Sequence, residues 1–353
     1  MTDLTPSALA AGRARLDALM RRGVEFLGSR YAILGGAMTW VSERTLVAAI
    51  SNAGGFGVLA SGAMTPERLR EEIQATRALT TAPFGVNLIT LHPQLLDMVD
   101  VCLSEGVGHV VLAGGLPPGE AIDKVKKGGA KLICFAPALA LAKKLVRSGV
   151  DALVIEGSEA GGHIGPVSLT VLAQEILPHV RDVPVFVAGG IGRGETIAAY
   201  LEMGAAGVQL GTRFVCATEC VAHPNFKKAF LRGAARDAIA SVQLDPRFPV
   251  IPVRALKNKG SEAFMEAQRR IIERVDRGEL DIAAGQLEIE HYWAGALRRA
   301  VVDGDVESGS LMAGQSVGLV SSEQPVADII GELTDQAARF LAERTILPLE
   351  ATA

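Results

Sequence analysis

Between residues 156 and 166 the chain reads Glu156-Gly-Ser-Glu-Ala-Gly-Gly-His-Ile-Gly-Pro166, a single imidazole set among glycines. An imidazole exchanges a proton near neutral pH. Gly161, Gly162 and Gly165 allow backbone angles closed to other residues, and they let a ligand come close to the chain. By itself such a loop is as readily a flexible turn carrying an incidental surface histidine. Its neighbours decide. Residues 151–155, Asp-Ala-Leu-Val-Ile, form an apolar run that predicts a buried strand. The loop then leaves free N–H groups and His163 at that strand's C-terminal end.

The other histidines do not converge on it. His92 precedes a proline, His109 opens a strand, His179 ends a helix, and His223 and His291 lie beyond the repeating part of the chain. A metal hydrolase needs several histidines and carboxylates in one place, so no metal site is expected. The Gly-x-Ser-x-Gly of a serine hydrolase is absent, because in Gly157-Ser-Glu-Ala-Gly161 the serine stands one place early. Cys102, Cys134, Cys216 and Cys220 form no C-x-x-C pair. The last two are four apart and could share a helix face, but no histidine completes a metal set. Glycine backbones, amides and one isolated histidine suit an organic cofactor that carries the chemistry itself.

The elements that must hold this loop recur along the chain. Apolar runs at 31–34, 57–60, 84–89, 109–113, 131–135, 152–155, 185–188 and 207–210 predict eight strands, each followed by a helical pattern. Ser42 predicts the N-cap of a helix reaching Ile50, and Thr65 before Pro66 opens another reaching Leu79. Eight strand–helix units predict an α/β fold, a closed (β/α)8 TIM barrel. An open doubly wound sheet would carry Gly-x-Gly-x-x-Gly after its first strand, and Gly35-Gly36-Ala37-Met38-Thr39-Trp40 does not match. The one long interval, between the sixth and seventh runs, contains the 156–166 loop, where barrels build active sites. The seventh and eighth runs end in Gly189-Gly190 and Gly211-Thr212, where barrels commonly bind phosphate. Asn87, Glu156 and Gln209 are the polar side chains at the predicted strand ends.

Past Cys220 the repeat stops. Residues 222–308 predict a smaller, mainly helical subdomain over the active-site mouth, with helices at 224–232, 261–277 and 288–301 and an extended segment at 249–254. Residues 309–353 add a glycine-bearing loop and a long amphipathic helix, 324–344, packed back on the barrel. The division expected is an extension at 1–30, the barrel at 31–221, the subdomain and this tail. With 49% hydrophobic and 21% charged residues, the 353-residue chain is core-rich and globular. A net charge of −4 without a basic cluster argues against nucleic acid. No run suits a membrane span or a signal peptide, and four unpatterned cysteines fit a reducing cytoplasm.

Several stretches together resemble the flavin barrel family of the nitronate monooxygenases (2-nitropropane dioxygenases) and the flavin-type enoyl-ACP reductase called type II. They are Gly36-Ala-Met-Thr-Trp-Val41, Ala53-Gly-Gly-Phe-Gly57, Pro83-Phe-Gly-Val-Asn87, the 156–165 loop, Ala188-Gly-Gly-Ile191 and Val208-Gln-Leu-Gly-Thr-Arg-Phe214. The match continues through Ala222-His-Pro-Asn225, Val253-Arg-Ala-Leu-Lys-Asn258 and 301–315. The resemblance implies FMN, with Gly36, Ala37 and Met38 along its ring and Asn87 and Glu156 near the ring's polar edge. It implies that Gly161 and Gly162 approach the cofactor, and that Gly189, Gly190, Gln209, Leu210, Gly211 and Thr212 hold its phosphate. His163 would face the substrate side. Many nitronate monooxygenases have glutamine where this chain has Glu156, so the resemblance is closer to the reductase branch. That branch implies NADH or NADPH as reductant and an enoyl thioester as substrate; the alternative is an alkyl nitronate oxidised with O2. The resemblance allows acyl carrier protein as the substrate's carrier and leaves the oligomeric state open, a homodimer included. The 1–30 extension and Leu116-Pro-Pro-Gly119 depart from the family pattern.

Overall fold

Eight parallel strands stand side by side in a ring: Ile33–Gly35, Gly57–Ala60, Phe84–Ile89, His109–Ala113, Lys131–Phe135, Ala152–Glu156, Val185–Ala188 and Gly207–Leu210. The computed structural model describes residues 4–248 and 252–346, with the backbone alone at 290, 291, 293, 294, 345 and 346. From the second strand to the eighth, each strand pairs with the next in sequence. The eighth returns to the first, with Leu34 opposite Gln209. The ring closes through one bridge between Leu34 and Phe56, carried by Gly35 N–H to Phe56 O and Phe56 N–H to Ile33 O, both 2.9 Å. This is the (β/α)8 barrel that the spacing of apolar runs predicts. Helices cover the outside of the strands and side chains such as Val110, Leu132, Leu153, Phe186 and Val208 are buried, which is why the strands read as continuous apolar runs.

Several boundaries differ from expectation: the first strand is Ile33–Gly35, and the helix expected at 288–301 is two, Ile282–Ala294 and Ala296–Val301. Two of the differences bear on the site. The sixth strand runs one residue further, so Glu156 is held in register beside Ala188 on the barrel's rim. The helix after the first strand is Arg44–Asn52, and its N-cap is Glu43, whose carboxylate accepts from the N–H groups of Thr45 and Leu46. Ser42 is freed for another task, described below. Cys216 and Cys220 share no helix face, because the helix preceding them is only Thr212–Val215; all four cysteines are free and buried.

The opposite end of the barrel is stopped by the N-terminal helix, Pro6–Leu27. Its Phe26 packs edge-on against His109, with ring centroids 5.3 Å apart, and the carbonyl of Phe26 lies 2.9 Å from His109 Nε2. Lys131 Nζ donates to the same carbonyl. Desolvation lowers the His109 pKa, so this histidine is a neutral structural plug far from the loop at 156–166. The helix also lies along the C-terminal helix Val326–Ile346 and helix Gly194–Glu202.

Between the eighth strand and the C-terminal helix stand helices Pro224–Arg232, Lys259–Asp276, Ile282–Ala294 and Ala296–Val301. Phe248, Phe264, Ile271 and Ile289 form a small core separate from that of the barrel. Neither strand of this region, Ala238–Ala240 or Val253–Leu256, joins the barrel sheet. They form a separate antiparallel sheet with a two-residue strand, Gly162–His163. The extended segment expected at 249–254 is described from residue 252 onward; 249–251 lie outside the described residues.

Gly23 tests how tightly the N-terminal helix is seated. A Cβ there would lie 2.2 Å from the Ala206 carbonyl oxygen, a backbone atom that cannot swing away. Gly23→Val should lower the unfolding free energy by about 2 kcal/mol, within the usual range for overpacking. Gly108→Ala, where a Cβ meets nothing within 4 Å, should stay within about 0.5 kcal/mol of the parent. Urea unfolding of both variants measures the contrast.

Candidate active site

A cavity of about 590 Å³ opens at the C-terminal ends of the strands. Every site candidate from the sequence lies on its wall: Gly36, Ala37 and Met38 after the first strand, Asn87 on the third, and Glu156 at the end of the sixth. Gly161, Gly162 and His163 come from the long loop, Gly189 and Gly190 from the seventh strand end, and Gln209, Leu210, Gly211 and Thr212 from the eighth. Ser42 fixes the first of these segments. Its hydroxyl donates to the Gly36 carbonyl at 2.8 Å and accepts from the Met38 N–H at 3.0 Å, while Gly36 N–H donates to the Leu210 carbonyl at 2.8 Å.

The polar groups on this wall are unusually free. The backbone N–H groups of Gly190, Gly211 and Thr212 donate to no acceptor among the described residues. The side-chain amides of Asn87 and Gln209 and the carboxyl of Glu156 have no hydrogen-bond partner there either. These groups face the cavity rather than protein, so they are free to bind a polar ligand that enters it. The wall includes no lysine or arginine.

Two titratable groups face this space, both shifted by desolvation toward their neutral forms. Glu156 keeps a part-exposed surface, but that surface faces the cavity and protein encloses it, which raises its carboxyl from the ordinary 4.5 to about 8. His163 is exposed by surface area, yet the cavity and the loop surround most of the ring. Desolvation by that surrounding protein holds its pKa below the ordinary 6.5. At neutral pH the wall therefore presents a carboxylic acid and an uncharged imidazole.

The His163 loop is held by backbone contacts. Gly162 takes a left-handed angle, φ 78°, that turns the chain between Gly161 and His163. A Cβ at Gly161 would lie 2.5 Å from the Gly314 N, so the loop lies directly on the 312–316 segment. Val253 pairs with His163 and Arg254 with Gly162, and Ile164 N–H donates to the Pro252 carbonyl at 2.9 Å. Sequence reasoning missed this strand's role, along with the wall residues Phe135, Leu297 and Met312. The β-branched residues of 249–254 signal an extended segment, but nothing in them names its partner.

The sequence model of the family described as nitronate monooxygenase matches residues 21–103 and 94–336. The chain belongs to the nitronate monooxygenase family. It is an oxidoreductase of that family, which is flavin-dependent. One relative, the (3aS,4S,5R,7aS)-5-hydroxy-7a-methyl-1-oxo-octahydro-1H-indene-4-carboxyl-CoA dehydrogenase of Rhodococcus jostii, is 31% identical over 89% of this chain and 95% of its own. A nitronate monooxygenase of Paraburkholderia phytofirmans is 34% identical over 60% of this chain and 70% of its own. Among solved structures, FabK from Thermotoga maritima superposes with a TM-score of 0.82 and 36% identity, covering 92% of this chain and 98% of that one. The nitronate monooxygenase family therefore spans names of different substrates, and the wall's own chemistry has to choose between them. The wall fits a flavin: unpaired N–H groups suit a phosphate, and unpaired amides suit a heteroaromatic edge.

The Glu156 shift has a defined pH signature in the cofactor-free protein. A carboxyl whose pKa is higher folded than unfolded costs stability once the unfolded chain ionises. That cost is absent below about 4.5, grows up to about 8 and is constant above. Glu156→Gln removes it. The variant should match the parent near pH 4 and become progressively more stable than it from pH 5 to 8, as read by denaturant midpoints across pH.

Proposed function

We propose that the protein is an FMN enzyme that reduces the carbon–carbon double bond of an enoyl thioester with NADH or NADPH. One observation carries the choice of substrate. The wall offers neutral Glu156, neutral His163, amides and apolar side chains, with no lysine or arginine to pair a small organic anion. A thioester is uncharged at its reacting end, whereas a nitronate is an anion. FabK and the CoA-thioester dehydrogenase support the same side. The second reading, oxidation of alkyl nitronates, rests on the family's description and on the relative from Paraburkholderia phytofirmans.

When bound, the flavin supplies the hydride, taken from the nicotinamide and delivered to the β-carbon. The chain's residues do the rest. Gly190, Gly211 and Thr212 hold the cofactor phosphate through their free N–H groups, and Asn87, Gln209 and protonated Glu156 hydrogen-bond its polar edge. His163 stands on the substrate side. Because its pKa is lowered, the neutral ring donates through N–H to the thioester carbonyl and stabilises the negative charge that grows on that oxygen. The same ring, donating through one nitrogen and accepting through the other, relays the proton that the α-carbon needs. Met312 and Leu297 complete an apolar wall that keeps water from the reacting carbons.

Two variants test these assignments. At Gly211 a Cβ meets only Met38, its Sδ at 3.4 Å and Cγ at 3.9 Å, so Gly211→Val should fold normally while its side chain fills the phosphate position. It should purify with much less flavin, seen in the flavin-to-protein absorbance ratio; full flavin content would remove the phosphate from this strand end. His163→Ala should keep its flavin and its reduction by NAD(P)H. Transfer to an enoyl thioester should slow by about two to four orders of magnitude, measured by stopped flow. On the nitronate reading the same variant would instead lose neutral nitroalkanes while still oxidising pre-formed nitronates.

A further inference from the structure

We infer that Arg254, a residue outside the barrel, is the positioning residue of His163. Its guanidinium donates from Nε to the Ser158 carbonyl at 2.9 Å and from Nη1 to the Ala238 carbonyl at 2.5 Å. One side chain thus ties the start of the His163 loop to the outer strand of the small sheet. Its own backbone pairs with Gly162, and the flanking residues Pro252 and Val253 hold Ile164 and His163. The same strand reaches the far wall, because Ala255 bridges to Met312 and Leu256 N–H donates to the Leu311 carbonyl. His163 has no side-chain hydrogen bond among the described residues, so its orientation is set by this backbone frame alone.

Arg254 is part-buried and makes no ion pair among the described residues. Glu159, the acid whose charge it feels, is committed to capping Leu169 N–H at 2.9 Å. A desolvated cation without a carboxylate is kept here by what its planar fork does: it satisfies two carbonyls from two segments at once. A lysine ammonium keeps the charge but is a compact point donor without that fork. Met lacks both. The charged or titratable groups around His163 are Glu156 on the cavity wall, Glu159 in its own loop and Arg254 on the paired strand.

The inference rests on the proposal that His163 acts on substrate, so the test has one arm that needs no substrate. In the flavin-loaded protein, Arg254→Lys and Arg254→Met should each speed hydrogen exchange at the Ile164 amide by about tenfold or more, while the barrel amide of Val154 stays protected. The His163 imidazole, titrated by NMR, should move up toward its ordinary pKa in both. Since lysine keeps the charge, a shift in Arg254→Lys reports geometry rather than lost electrostatics. In the second arm, Arg254→Met should slow flavin reoxidation by an enoyl thioester at least tenfold in the parent and leave it unchanged in His163→Ala. Unaltered Ile164 exchange and His163 titration would overturn the inference. So would an equal rate loss with His163 absent, or loss of Val154 protection in both variants, which would make Arg254 a residue of the fold alone. Inactivity of every form toward thioesters, with the first arm as expected, would count against the substrate reading only.

Discussion

The site depends on a backbone pairing between parts of the chain some ninety residues apart: the two-residue strand Gly162–His163 against Val253–Leu256. The barrel ends in loops whose N–H and C=O groups have no regular partners, and a loop rich in glycine would otherwise sample many conformations. The small sheet removes that freedom. It holds His163 at the rim while leaving the ring without a side-chain partner, so its hydrogen bonds remain for a ligand. The same strand reaches Met312 through Ala255, so His163 and that wall residue are parts of one frame.

Desolvation then sets the chemistry. In a cavity whose wall includes no lysine or arginine, desolvation favours the neutral forms of both Glu156 and His163, and the unpaired N–H groups at the seventh and eighth strand ends favour an anion. On the proposed reading the cofactor phosphate sits at those strand ends, while the reacting end of the substrate meets neutral donors. The barrel supplies the floor, and Phe26, His109 and Lys131 pack together at its opposite end.

The barrel was legible because parallel strands buried on both faces must read as uninterrupted apolar runs, and eight of them recur with helices between. Some wall residues were legible for a related reason: Gly189, Gly190, Gly211 and Thr212 follow strand ends, where glycine and short polar side chains stand out. Gly36, Ala37, Met38 and Leu210 were legible only through the family resemblance. Ser42 shows the limit. It looks like a helix cap, yet Glu43 takes that place and Ser42 instead binds Gly36 and Met38, a choice decided by the fold of the preceding loop. Glu156 read as the first loop residue, although pairing with Ala188 makes it the last of its strand. The 162–163 strand had no chance of being read, since two residues carry no periodicity. Arg254 followed the same rule, because its partners Ser158 and Ala238 are contacts that only the folded chain creates.

The central claim is that flavin in this cavity passes electrons from a nicotinamide to an enoyl thioester. Anaerobic titration of the flavin-loaded protein tests it most directly. NADH or NADPH should bleach the flavin, and an enoyl-CoA added without oxygen should restore the oxidised spectrum in stoichiometric amount. Flavin that neither nucleotide bleaches, but that an alkyl nitronate does, would contradict the account.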